Sequence, residues 1–179
     1  MTLGTKLVAR IALFSALVYV LSWATIYLLN VNLIFFIVFS AGFLWGSSPG
    51  VAVGLVGMGL WSAFNPYGPA HPYVMAAQMV GAALSGLVGA AFQRINWEHT
   101  TSGKLYSFLV AAAVLCTVLF YIPVNFVDAW LIQPFWPRFV SSAIWSLISL
   151  VSNMVIFPLL FGVTRHLYVR ERKVLWEST

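Results

Sequence analysis

Charge is scarce in this sequence. Asp, Glu, Lys and Arg make up 7% of its 179 residues, and only four of them are acidic. A water-soluble domain carries about a quarter charged residues, so that class is excluded at once. The few carboxylates are not paired on one helix face, which leaves no general acid–base dyad and no oxygen cage for a hard cation. A single cysteine, Cys116, rules out a disulfide framework, and inside an apolar run it reads as a small buried hydrophobe. His71, His99 and His166 are scattered over three connecting segments or ends, with no HExxH pair. None shares a span with the abundant serines, which disfavours a nucleophile–base couple. There is no glycine-rich phosphate loop, so any ATP use must belong to partner subunits. No ionisable group sits mid-span, where proton coupling would want one. The expectation is a protein that binds rather than catalyses, with no intrinsic cofactor and no metal. The net charge of +5 is read as a report on membrane orientation, not as a sign of nucleic-acid binding.

What the chain has instead is apolar length. It is 61% hydrophobic with a mean hydropathy of +0.94, and the apolar runs recur from end to end. The expected fold is an all-α integral membrane protein: one domain, 1–179, built as a six-transmembrane-helix bundle. The spans fall at about 7–29, 31–46, 49–65, 73–93, 105–122 and 138–164. The first run is too long for a signal-peptide core and no small-residue cleavage site follows it, so it reads as a retained span. Spans two and three are near the lower limit for crossing a core of about 30 Å and are joined by "GSSPG" (46–50), a tight turn. A re-entrant pair is the alternative; full spans are preferred because they make the charge pattern consistent.

With six spans, Lys6, Arg10, Arg94, Lys104, Arg165, Arg170, Arg172 and Lys173 share one side, which the positive-inside rule makes cytoplasmic, with both termini there. The tail "RHLYVRERKVLWEST" reads as a basic juxtamembrane segment that orients the protein and meets anionic lipid. The outer loops are "NVN", "NPYGPAHPY" and "PVNFVDAWLIQPFWPR". Proline presets their backbone, so they are expected to be ordered caps. Trp and Tyr anchor at interfaces in any membrane protein, but their clustering with Asn65, His71, Asn125, Asp128 and Arg138 goes beyond anchoring. Asp128 and Arg138 either pair with each other at the surface or turn toward a ligand.

Small residues recur at helical spacing. Ala77, Gly81, Ser85 and Gly89 form one row of span four, Ala82, Gly86 and Ala90 another, and Gly50, Gly54 and Gly57 a third in span three. Such rows let backbones approach in lipid and are read as packing within the bundle. In span one, Ala9, Ala12 and Ala16 lie on one face beside Ser15; this face either packs inside or is left for another protein. Span six carries Ser142, Ser146, Ser149 and Asn153, a polar stripe that must face the interior or a cavity, with Gln78 as a candidate partner for Asn153.

The combination of size, six spans, "ALFSA" at 12–16 and "AGFLWGSSPGVAVGLVGMGLW" at 41–61 followed by the small-residue span four resembles the substrate-binding S component of energy-coupling factor (ECF) vitamin transporters. The resemblance covers most of the chain. It implies a subunit of an ABC-type importer in a prokaryotic cell membrane, partnered by a transmembrane scaffold subunit and two cytoplasmic ATPases. In that family an AxxxA face on the first helix docks the scaffold, which assigns Ala9, Ala12 and Ala16 to partner docking. A water-soluble vitamin or precursor is captured near the outer face, which by location and chemistry points to Asn65, His71, Tyr73, Gln78, Tyr121, Asn125, Asp128, Trp130, Arg138, Trp145 and Asn153. The aromatic surplus favours a flat heterocycle, with a corrinoid ligated by His71 as an alternative. The Met-His start used by cobalt and nickel relatives is absent, since residue 2 is Thr, which disfavours metal-ion uptake.

Three rival readings remain. A structural scaffold resembling the rod-shape-determining membrane proteins would also use a small helix face. A tryptophan-rich sensory protein that binds porphyrins would have five spans. A membrane enzyme lacks catalytic groups here.

Overall fold

The computed structural model describes residues 3–28, 30–95 and 97–176. Six α-helices follow one another: α1 (Leu3–Ala24), α2 (Ile34–Trp45), α3 (Ser47–Phe64), α4 (Pro72–Gln93), α5 (Ser102–Leu131) and α6 (Phe135–Trp176). A 3-10 turn at Trp97–His99 precedes α5, and there is no strand among the described residues. Five of the helices are long and apolar enough to cross a membrane.

The exception, α2, sits at the centre. Its sequence IFFIVFSAGFLW has no polar face, and a helix apolar all round has to be enclosed. Every residue from Ile34 to Leu44 is buried, and α2 touches each of the other five helices. Its 12 residues rise only about 18 Å, well short of a hydrocarbon core of about 30 Å. The bundle therefore lacks a helical centre above the first turn of α2, and that gap becomes the site described below.

Glycine makes the enclosure tight. A Cβ added at Gly42 of α2 would overlap the Gly86 carbonyl of α4, and one at Gly89 would overlap the Phe39 carbonyl of α2. A Cβ at Gly50 of α3 would lie 2.7 Å from the Gly42 Cα. Three helices thus meet backbone to backbone, and the gain is van der Waals contact where lipid supplies no hydrophobic drive. The small-residue rows of α3 and α4 are used here in internal packing.

Helix limits differ from those expected. The first span stops at Ala24 rather than residue 29, and Leu29 lies outside the described residues. The chain turns at 25–28, and Asn30 takes a left-handed φ of 56°, a conformation asparagine tolerates better than most. Gly46 alone (φ 92°) makes the α2–α3 turn, and Ser47–Gly50 already belong to α3, because proline is tolerated in a first turn. The segment 123–138, expected as a loop, is largely helix. α5 passes through Pro123 to Leu131 and α6 begins at Phe135, leaving 132–134 as the link. In a membrane bundle the hydrogen bond forfeited at Pro123 is offset by packing on neighbouring helices.

α6 has 42 residues, about 63 Å, twice the hydrocarbon thickness. The tail stays helical past residue 164 because its turns are held. Tyr168 is buried against Phe43 and Trp97, the Arg165 guanidinium lies 5.7 Å from the Trp97 ring centre, and Glu171 pairs with Arg10 of α1. The side chains of Arg172 and Lys173, and residues 177–179, lie outside what is described. The Arg10–Glu171 pair brings the start of α1 and the last turns of α6 to one end of the bundle. Next to it, Phe39, Phe43, Phe92, Trp97, Phe157 and Phe161 form a continuous aromatic core.

Candidate functional site

At the opposite end, the short α2 leaves a chamber of about 280 Å³. Its base is apolar: Ile34 and Phe35 from the first turn of α2, Met58 of α3 and Phe120 of α5. Its sides are polar or aromatic: Ser22 and Thr25 where α1 ends, Trp61 near the end of α3, Gln78 near the start of α4, and Tyr121 of α5. The loop between α1 and α2 dips into it with Asn30 and Asn32.

A chain of hydrogen bonds fixes that loop. Asn32 Nδ2 donates to Ser149 Oγ at 3.1 Å, and Asn30 Nδ2 donates to the Trp145 carbonyl at 2.8 Å. The Tyr121 hydroxyl lies 3.0 Å from Asn30 Oδ1 and 3.1 Å from Ser149 Oγ. Tyrosine has one hydroxyl proton. Given to the amide oxygen, which has none, it leaves the serine proton to fill the second contact. The loop is thereby tied to both α5 and α6.

Asn30 and Tyr121 also form the partition to a second, more open pocket of about 380 Å³, which Asn125, Arg138, Ser142, Trp145 and Ser146 help to line. Asn125 Nδ2 donates to Ser146 Oγ at 2.9 Å across the α5–α6 seam. Arg138 and Asp128 pair with each other, Nε to Oδ2 at 2.7 Å and Nη2 to Oδ1 at 3.3 Å.

The residues singled out from the sequence separate into groups. Gln78 and Tyr121 line the chamber; Tyr121, Asn125, Arg138 and Trp145 line the second pocket. Tyr73 and Trp130 face an apolar cleft between α4 and α5, their rings 6.4 Å apart, and exposed His71 lies tilted beside Tyr73 with ring centres 5.5 Å apart, outside the chamber. Asn65 closes a local turn, its Oδ1 accepting from the Tyr67 N–H at 2.9 Å. Asn153 is fully buried below the site. Its partner is Thr117, at 3.1 Å, and not Gln78, whose Oε1 accepts from the Ser62 hydroxyl at 2.7 Å. Gln78 on α4 turns to α3, while the stripe on α6 turns to α5 and the Asn30–Asn32 loop. Ala9, Ala12 and Ala16 are exposed; the face of α1 that packs inward is Ile11, Ser15, Val18 and Ser22.

Sequence reasoning passed over Asn30, Asn32, Ser22, Thr25, Trp61 and Tyr67 as site residues. The signal for the first two was present: two asparagines in the link "NVN", whose amides need partners beside apolar runs. What concealed them is that the sequence does not show this link dipping over the short α2. In comparisons with protein-family models, with curated proteins and with solved structures, the chain matched none.

Proposed function

We propose that this chain is the substrate-binding S subunit of an ECF-type ABC importer, set in a prokaryotic cell membrane with both termini cytoplasmic. It captures a water-soluble vitamin or precursor and docks a scaffold subunit that carries two ATPases. The observation that carries the reading is a chamber open at one end of the bundle and closed beneath by aromatic packing, a receptor's geometry rather than a channel's. Support also comes from the other end, where the small Ala9–Ala12–Ala16 face of α1 is turned outward beside the basic residues. The chamber favours this reading over a scaffold of the rod-shape-determining kind, which has no use for a solute site.

The test is direct. Trp61 lines the chamber. Titrating the purified protein with a panel of water-soluble vitamins and precursors is expected to quench its tryptophan fluorescence saturably for one of them, and mass spectrometry of a gently extracted sample to find that compound co-purified. A flat response to the full panel with no co-purified small molecule would overturn the reading.

A further inference from the structure

The chamber wall carries information about its occupant. Among the described residues that line it, none is charged. The ionic groups nearest this end, Asp128 and Arg138, neutralise each other outside it. An ionised carboxylate, phosphate or ammonium lodged here would give up its hydration without meeting a counter-charge, which is strongly unfavourable.

The polar wall groups differ in what they can still offer an occupant. Gln78 has its Oε1 occupied by Ser62, so the edge it presents is the Nε2 amide, a donor. Asn32 spends Nδ2 on Ser149, and its Oδ1 is buried, out of reach of an occupant. Ser22 and Thr25 hand their own protons to the Val18 and Leu21 carbonyls of their helix, at 2.7 and 2.9 Å, and add only acceptor lone pairs. Around these groups stand the rings of Phe35, Trp61, Tyr67 and Tyr121. A volume of about 280 Å³ suits one small ring system and is too small for a corrin macrocycle.

Resting on the importer reading, we infer that the cargo is a small uncharged planar heterocycle that carries a hydrogen-bond acceptor, as in a ring carboxamide or lactam. Its carbonyl takes the Gln78 Nε2 proton, while the ring lies among the aromatic side chains.

The experiment compares compounds that share a ring and differ in charge: nicotinamide with nicotinate, riboflavin with flavin mononucleotide, biotinamide with biotin. Binding is read by tryptophan fluorescence on the purified full-length protein. The expected result is that an uncharged member binds and its ionised counterpart binds at least a hundredfold more weakly. Gln78→Glu, which keeps the acceptor for Ser62 but loses the N–H₂ donor, should weaken the bound compound at least tenfold. An ionised member that binds as well as its uncharged counterpart overturns this inference and leaves the importer reading standing. Unchanged affinity in Gln78→Glu overturns the assigned contact. Silence from every compound of either charge, together with an empty co-purification, overturns the importer reading itself.

Discussion

Tyr121 and Asn30, 91 positions apart in the chain, hold the partition between two pockets with one hydrogen bond of 3.0 Å. Asn30 does so from a left-handed backbone conformation, φ 56°. Two contributions can therefore be separated at one residue. Asn30→Gly removes the side-chain bonds but relieves the backbone, whereas Asn30→Ala removes them and adds strain of about 1 kcal/mol. Melting curves in detergent should rank wild type above Asn30→Gly above Asn30→Ala. Equal melting temperatures for the two variants would show that the backbone conformation carries no cost.

Thr117 and Asn153 make a buried pair between α5 and α6, Asn153 Nδ2 to Thr117 Oγ1 at 3.1 Å. Thr117→Val strands the amide and should destabilise by about 1–3 kcal/mol. Asn153→Leu removes the amide and, with it, the Oδ1 that has no partner, so it should cost less than Thr117→Val. The double variant should recover part of the loss, with a coupling of about 0.6–1.7 kcal/mol by chemical denaturation. Strict additivity would mean that the pair does not interact.

Ala12 and Ala16 are exposed on α1, which gives a larger side chain room outside the bundle. Ala12→Leu and Ala16→Leu should change stability by no more than about 0.5 kcal/mol and leave solute binding intact. Under the proposed function they should abolish uptake into cells expressing the complete importer. Parallel loss of binding and uptake would remove the docking role from this face.

Gly86 of α4 lies against the backbone of α3; a Cβ there would overlap the Gly50 carbonyl. Backbone cannot move aside as a flexible side chain can, so Gly86→Val should cost at least about 3 kcal/mol, beyond ordinary overpacking. Loss of a monodisperse peak in size-exclusion chromatography is the expected readout, with Gly103→Val, where nothing lies within 4 Å, as the benign control.

Much of the architecture was legible because the bilayer allows few solutions. Apolar runs had to be helices, and small residues at four-residue spacing had to be contact faces. The stripe Ser142–Ser146–Ser149–Asn153 had to face the interior or a cavity: Ser149 and Asn153 are buried, and Ser142 and Ser146 line the second pocket. Three things were not legible. Pro123 suggested a helix end, yet α5 continues, because packing on both flanks outweighs one missing hydrogen bond. The shortness of span two was visible in part, since 31–46 is already near the lower limit for crossing; that α2 shrinks further to Ile34–Trp45 and is enclosed on all sides was not, because Ile34–Leu44 is no less apolar than a spanning helix. The chamber depends on that shortness, so the link "NVN", rightly read as a loop, gave no sign that Asn30 and Asn32 enter the site. Tyr73, His71 and Trp130 had the right chemistry and the right end of the molecule, but helix rotation turns them to the α4–α5 cleft, and rotation is what composition does not report.

The aromatic packing under α2 has a consequence for traffic. Phe39, Phe43, Phe92 and Phe161 interlock with centroid separations of 5.4 to 6.4 Å, and Trp97 closes the remaining side. This packing closes the chamber beneath. Under the proposed function a solute would leave by the mouth through which it came, and delivery to the far compartment would require that mouth itself to be carried across, with the bundle swinging as one rigid piece rather than opening along its axis.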